Sequence, residues 1–296
     1  MQIGVTFPTI ELTEPEQVRD YAQAVEDLGF SHLVAWDHIL GADLAHHPDW
    51  PGPPTLVHLH EPLVLFGFLA SLTQRIELVT QVVALPQRQT ALVAKQAAEV
   101  DVLTGGRLRL GFGIGWAEPE FRSLGASFSD RGQRLEEQIR LLRALLSEEV
   151  VSFEGRWHSV PQMGICPLPV QRPVPLWLGG HADVSLRRVA TMGDGWMTLT
   201  SPAEAREGEF LERLWRYAAE AGRSPDEVGV EATVSMAEGL QPEDVPTLRP
   251  PEAWAADVAG WRELGATHLT VNTMGTGLST ADEHIAALCR FLDALD

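Results

Sequence analysis

The chain has 296 residues, 45% of them hydrophobic, and its 41 acidic and 22 basic residues give a formal net charge of −19. That balance excludes nucleic acid as the main partner, because phosphate contacts need clustered lysine and arginine. No apolar run approaches the roughly 18 residues of a membrane span and no signal peptide is recognisable, so a cytoplasmic protein is expected. Cys166 and Cys289 lack the spacing of a metal or redox motif, and the sequence does not exclude a single disulfide between them.

Hydrophobic runs bounded by glycine, proline or polar residues predict eight strands. They lie near residues 2–8, 32–37, 76–84, 107–113, 174–179, 195–200, 228–236 and 267–272. Helices fit between the strands and after the last one. Between about 131 and 146, apolar residues recur on one helical face, at Leu135, Ile139, Leu142 and Leu146.

Residues typical of helix caps mark both ends of these helices. Glycines expected just past a helix are Gly29, Gly105, Gly193 and Gly265. Pairs with the capping-box spacing are Thr13 with Glu16, Ser201 with Glu204, and Thr280 with Glu283. The alternation of strand and helix is therefore marked along the whole chain.

Eight strand–helix repeats predict one closed (β/α)8 barrel of the TIM type, a single domain over residues 1–296. The alternative is a doubly wound sheet, whose dinucleotide motif needs glycines at the first strand–helix turn. Here Gly111, Gly113 and Gly115 follow the fourth strand and Trp116 comes next, so the barrel is preferred. Two stretches exceed a minimal barrel: the loop 41–61, and residues 150–173 with a hairpin around Glu154-Gly155. Both are either lids or surface decoration.

The active site of such a barrel lies at the C-terminal ends of its strands. The ends of strands two to six contribute Asp37-His38, Thr80-Gln81-Val82, Gly113-Ile114-Gly115-Trp116, Gly179-Gly180-His181 and Thr200-Ser201. Glycines let a flat anionic ligand approach the backbone, and the pair after strand five precedes a helix N-terminus. This arrangement favours a phosphate-bearing cofactor.

At these residues the chain resembles the bacterial luciferase-like superfamily, and most of all its actinobacterial coenzyme F420-dependent oxidoreductases. The resemblance runs from Ile3 to about Thr198. It is strongest in LVTQVVALPQRQ, AKQAAEVDVLTGGRLRLGFGIGW, RGQRLEEQIRLLRALL and PLWLGGHADVSLRRVATMGDGW.

The resemblance implies a role for each matching position. His38 is the implied catalytic residue, which relays a proton near the reacting carbon of the cofactor ring. A non-prolyl cis peptide is implied at Gln81-Val82 or one residue earlier. The implied cofactor-binding residues are Asp37, Thr80, Gln81, Val82, Gly113, Gly115, Trp116, Gly179, Gly180 and His181. In similar sugar-phosphate dehydrogenases a glutamate acts after strand four; here Trp116 takes that place, with Glu118 and Glu120 close by.

The leading hypothesis is hydride transfer between F420, a deazaflavin, and a small apolar or conjugated substrate. The alternative within the superfamily is an FMN-dependent monooxygenase that uses reduced flavin and oxygen. A non-catalytic flavin carrier is a third reading, and a homodimer is implied by the resemblance. A metal-dependent hydrolase is disfavoured because its candidate ligands share one loop instead of several strand ends, at His46, His47, His58 and His60.

Overall fold

The computed structural model describes residues 1–50, 52–55, 57–238 and 247–295. Eight parallel strands form a closed ring in which each pairs with its neighbours in chain order and the last pairs with the first. The strands are β1 (Gln2–Thr6), β2 (His32–Ala35), β3 (Glu77–Thr80, resuming at Val83–Ala84), β4 (Leu108–Gly113), β5 (Leu176–Gly179), β6 (Gly195–Thr198), β7 (Gly229–Ser235) and β8 (His268–Asn272). The predicted TIM barrel and all eight of its strands are confirmed.

Helices surround the ring. They are α1 (Pro15–Asp27), α2 (Pro62–Leu69), α3 (Thr90–Thr104), α4 (Glu118–Ser123), α5 (Arg131–Ser147), α6 (Asp183–Met192), α7 (Pro202–Glu207), α8 (Phe210–Glu220), α9 (Pro251–Glu263) and α10 (Ala281–Asp293). The predicted stripe on α5 is buried against the core. No helix among the described residues combines the length and the apolarity that crossing a membrane requires.

Helix ends follow the sequence signals in most places. The capping boxes at Ser201 and Thr280 are confirmed, and of the four predicted glycines only Gly193 lacks a left-handed conformation. The Thr13 box is wrong: α1 begins at Pro15, and Glu14 takes the cap position without a side-chain hydrogen bond. Proline suits the first helical position, and here it sets the start of the helix.

The lower barrel interior holds a buried charge network. Glu231 contacts Arg109, and its Oε1 lies 3.0 Å from Nε2 of His32. These residues come from β7, β4 and β2, which are not neighbours in the ring, so the contacts cross the interior. Glycine makes room for the large side chains here, because a Cβ at Gly4 would lie 2.3 Å from the His32 ring.

The two stretches outside the minimal barrel also have defined features. Residues Val151–Glu154 and Ser159–Met163 form the predicted antiparallel hairpin. In the loop 41–61, Ala42 forms an isolated bridge with Pro54. Both cysteines are free, and Cys166 is exposed.

Candidate active site

A cavity of about 440 Å³ opens at the C-terminal ends of β3, β5 and β6. Its volume lies within the range of small-molecule sites. Six predicted residues line it: Gln81, Val82, Trp116, Gly179, Gly180 and His181. Thr200, which the sequence places at the end of the sixth strand, also lines the cavity. The remaining lining residues, which the sequence did not single out, are Met197, Thr198, Leu199 and Glu204.

One wall of the cavity is a bulge in β3. The Gln81–Val82 peptide bond is cis, as the resemblance implied. Gln81 Nε2 donates to Thr233 Oγ1 on β7 at 3.1 Å. An added Cβ at Gly113 would lie 2.7 Å from the Val82 side chain, whereas one at Gly179 would lie 3.4 Å from it, an ordinary contact distance. Gly113 therefore makes room for Val82, and Gly179 lines the cavity beside it.

Three predicted cofactor residues lie behind this wall, outside the cavity lining. Thr80 Oγ1 donates to Gly111 O at 2.9 Å and accepts from its N–H at 2.7 Å. Gly113 faces the Val82 side chain. Gly115 has φ +74°, and a Cβ there would lie 2.6 Å from Phe121. The geometry gives all three a supporting position.

Asp37 also lies outside the cavity lining. Its side chain is 1% exposed and pairs with Arg88 Nη2 at 2.6 Å, while Arg88 Nη1 reaches Glu61 at 2.7 Å. Asp37 Oδ2 also accepts from the Ala84 N–H at 3.3 Å, just beyond the bulge. Burial raises the pKa of Asp37, and the attraction of Arg88 opposes that rise. Asp37 thus ties the end of β2 to the segment that follows Val82.

His38, the predicted catalytic residue, is not among the residues that line the cavity, and it lies at the rim through its contact with Trp116, which does line it. Its ring meets the ring of Trp116 edge to face, with centroids 5.4 Å apart. Its Nδ1 lies 3.5 Å from Oε2 of Glu120. Burial raises the pKa of Glu120, but contacts from His38, the Leu40 N–H and Gln87 outweigh burial and lower it to about 2. An imidazole ring with a carboxylate beside it therefore lies next to Trp116, on one side of the cavity.

Beside the same cavity, α6 begins just after the glycine pair. Among the described residues, the N–H groups from Gly180 to Val184 have no hydrogen-bond acceptor. Free N–H groups at a helix start carry partial positive charge and suit a phosphate. The Gly180 carbonyl accepts from Trp196 Nε1 at 2.8 Å, which fixes this turn. The turn that the sequence predicts for a cofactor phosphate is thus formed.

Residues 1–268 match the model of the luciferase-like monooxygenase family. The chain belongs to that family. An uncharacterised protein of Mycobacterium tuberculosis is 34% identical over 221 residues, which cover 71% of this chain and 74% of the relative. An F420-dependent glucose-6-phosphate dehydrogenase of Microbacterium testaceum is 25% identical, covering 94% and 84%. An FMNH2-dependent dimethylsulfone monooxygenase of Pseudomonas putida is 30% identical, covering 46% and 38%.

Solved structures share the fold. The monooxygenase RslO1 of Streptomyces bottropensis superposes with a TM-score of 0.81 and 21% identity, covering 100% of this chain and 98% of that one. An F420-dependent secondary alcohol dehydrogenase has a TM-score of 0.81 and 17% identity, covering 100% and 99%. Both support the luciferase-like barrel, and at these identities they show nothing about the reaction.

The histidine-rich loop of this luciferase-like chain forms local pairs. His46 Nδ1 contacts Asp43 Oδ2 at 2.7 Å, and His58 Nε2 lies 3.4 Å from His60 Nδ1. Within the described ranges no three His, Cys, Asp or Glu side chains converge as metal ligands. Three of the four histidines, His46, His58 and His60, therefore have local partners, and the cavity at the strand ends is the better candidate site.

A larger groove, of about 990 Å³, runs outside the barrel between α5, α6 and α8. Three of its five arginines form ion pairs with acids of the same groove, which are Arg143 with Asp194, Arg187 with Glu220, and Arg188 with Glu136. It is remote from the strand ends where a barrel performs chemistry. We therefore assign the active site to the smaller cavity.

Glu120 is the main residue of the site for which the sequence analysis predicts no role. The sequence places both Glu118 and Glu120 near Trp116, yet residues two apart on a helix point about 200° apart, so only one can face the barrel. In the structure, Glu120 is buried and Glu118 is exposed. No sequence pattern settles that choice, because Phe121, three residues after Glu118 and one after Glu120, lies closer to the helix face of Glu118.

Proposed function

We propose that this chain is an F420-dependent oxidoreductase that transfers a hydride between the deazaflavin and a small apolar or conjugated substrate. The observation that carries the proposal is His38, held between Trp116 and Glu120 at the rim of the cavity. Hydride transfer to or from a carbon–oxygen or carbon–carbon bond needs an accompanying proton, and a positioned histidine can move it. The F420-dependent relative, which aligns with 94% of this chain, supports the cofactor choice.

The residues present fit a phosphorylated ring system. The cavity has the volume for a ring, and the free N–H groups that open α6 suit the phosphate. Val82 would support one ring face, while Gly180 and His181 would hold the phosphate end. When bound, a deazaflavin supplies hydride chemistry, and the protein supplies orientation and a proton path.

The chain's own residues divide the remaining work. His38 would donate or accept the proton. Trp116 and Leu199 are exposed apolar side chains that line the cavity, so they would favour an apolar or conjugated substrate. Asp37 would act indirectly, because its carboxylate is engaged by Arg88 and the Ala84 N–H.

The second candidate is an FMN-dependent monooxygenase that uses reduced flavin and oxygen. The FMNH2-dependent relative, 30% identical over 140 residues, favours it. The same wall and the same helix start would serve FMN, since FMN also carries a ring and a phosphate. The two candidates differ in the cofactor and in the use of oxygen.

Titration of the pure protein with F420 and with FMN, in oxidised and reduced forms, tests the choice. We expect F420 to bind at least tenfold more tightly, with quenching of its fluorescence. A Thr200→Trp variant, which fills the cavity, should abolish that binding, whereas Thr191→Trp on the outside of α6 should not. Tight FMN binding with no F420 affinity would overturn the proposal. Hydrogen peroxide release from reduced FMN in air would then favour the monooxygenase.

We also propose that the protein is a homodimer in a reducing compartment, the cytoplasm. Two free cysteines support the compartment. Helices α2 and α3 pack together, and they expose apolar side chains at Val64, Phe68, Leu92 and Leu103. Exposed apolar patches on a folded chain mark interaction surfaces. A second copy of the chain is the partner that this surface is proposed to bind.

A further inference from the structure

The two ring nitrogens of His38 have different surroundings. Nδ1 is buried and lies 3.5 Å from Glu120 Oε2, and among the described residues it has no hydrogen-bond partner, so this contact is an approach of two charged or polar groups and not a formed hydrogen bond. The side chain is 21% exposed, so its accessible part belongs to the other ring atoms. One nitrogen therefore lies beside a carboxylate, and the accessible side of the ring carries the other.

Glu120 is fixed more firmly than the histidine it faces. Its side chain is 3% exposed. Oε1 accepts from the Ile39 and Leu40 N–H groups at 2.8 and 3.0 Å, and Oε2 accepts from Gln87 Nε2 at 2.9 Å. These donors come from the segments that follow β2 and β3, while Glu120 itself lies on α4. The Glu120 carboxylate thus links the segments that follow β2 and β3 to α4, next to the His38 ring.

We propose that Glu120 is a positioning residue that decides which nitrogen of His38 carries the proton. This inference rests on the proposed proton-transfer role of His38. An ionised carboxylate only accepts hydrogen bonds, so the neutral ring keeps its proton on Nδ1 and presents Nε2 as the free base. The other nearby acid, Asp37, is already paired with Arg88, which leaves Glu120 as the carboxylate available to His38.

A Glu120→Gln variant isolates this effect because it keeps the shape and removes the charge. The carboxamide oxygen must remain with the two backbone N–H groups, so its NH2 group turns toward Gln87 and His38. An NH2 group donates, and Nδ1 must then accept. The Gln87 carboxamide can rotate to offer its oxygen. We therefore expect the proton of His38 to move to Nε2.

The test is the 15N NMR spectrum of histidine-labelled protein, with His38 assigned by its loss in His38→Ala. The parent protein should show a protonated Nδ1 and an unprotonated Nε2, and Glu120→Gln should show the reverse. Glu118→Gln is the matched control: its carboxylate lies on the same helix, is 58% exposed and contacts Arg122, so the parent pattern should persist. A parent spectrum with the proton on Nε2 would overturn the proposal, even if Glu120→Gln failed to fold. An unchanged pattern in folded Glu120→Gln would overturn it as well.

Turnover gives a second readout. A wrong tautomer removes proton transfer and leaves binding intact, so Glu120→Gln should lower kcat about 100-fold while KM changes less than about threefold. The spectra need no cofactor or substrate. Failure to bind F420 would therefore contradict the proposed function and leave the tautomer result standing, whereas a wrong tautomer would contradict only the role of Glu120.

Discussion

Replacing Glu231 by glutamine should destabilise the barrel by about 3 kcal/mol and leave binding at its upper rim unchanged. Glu231 is fully buried, and its Oε1 accepts from Thr270 Oγ1 at 2.5 Å and lies 3.0 Å from His32 Nε2. Its other oxygen contacts Arg109. The variant keeps the shape of the side chain and removes the charge that these partners surround.

The expected loss of stability depends on the contacts that Arg109 keeps in the variant. Removing one partner of a buried ion pair costs about 3–5 kcal/mol. Arg109 keeps Glu77 at 2.9 Å and the face of Trp177 at 4.4 Å, so the lower end of that range applies. For a chain of 296 residues, about 3 kcal/mol corresponds to a fall in Tm of about 5 °C.

Thermal unfolding followed by circular dichroism measures this loss, and F420 titration checks the rim. Glu263→Gln is the matched control, because its 2.9 Å pair with Arg206 is exposed and should contribute less than about 1 kcal/mol. Adding Arg109→Met to Glu231→Gln should restore part of the Tm, since no buried charge is then left without its partner. Equal Tm values for Glu231→Gln and Glu263→Gln would refute the reasoning.

The same network predicts a pH dependence. Burial raises the pKa of Glu231, but the charges of Arg109 and His32 outweigh burial and hold the pKa below its usual range. A carboxylate with a lowered folded pKa stabilises the fold above its unfolded pKa, about 4.3, and loses that contribution as the pH falls. The Tm difference between the parent and Glu231→Gln should therefore narrow below about pH 4. A difference that widens in acid would contradict this sign.

Three further variants address the site and the surface. Asp37→Asn should lower Tm by several degrees, because Arg88 then loses the buried carboxylate that balances its charge. The same variant should change F420 affinity less than about threefold. A large loss of affinity at constant Tm would instead indicate that Asp37 contacts the cofactor. Gly113→Ala forces a methyl group against Val82 in the β3 bulge, so it should lower the free energy of unfolding, measured with denaturant, by about 1–3 kcal/mol. Gly67→Ala on α2 is the control, because its methyl group meets no neighbour, and it should leave that free energy unchanged or raise it. Phe68→Glu should shift the light-scattering mass from dimer to monomer, and an unchanged mass would remove α2 from the interface.

The fold could be predicted from the sequence because each strand carries its own signal. The apolar runs lie within a few residues of the observed strands, and glycine or proline bounds most of them. The Thr13 box failed because two local signals competed, and Pro15 at the first helical position prevailed over the cap spacing. Local signals therefore sufficed for the barrel and erred by one or two residues at an end.

The site was less predictable because its contacts join distant parts of the chain. Gly113 was marked as an opening for a ligand, yet its Cβ position faces Val82, and only the geometry of the bulge reveals that. Asp37 has the residue type of a ligand contact, but its partner Arg88 lies 51 residues away. A sequence pattern identifies the strand ends correctly and leaves open which neighbour occupies the space above each one.

The cavity combines a wall at Val82 with a rim that carries His38, and that division bears on the choice of cofactor. The wall includes Val82 and the turn at Gly180, which in the proposed function would meet a ring face and a phosphate. F420 and FMN share both features, so the wall cannot distinguish them. They differ in the ring atom at position 5, which is carbon in the deazaflavin, and in their reactivity with oxygen. In the proposed function, discrimination would therefore come from the rim, where His38 would move the proton and Trp116 would border the open face.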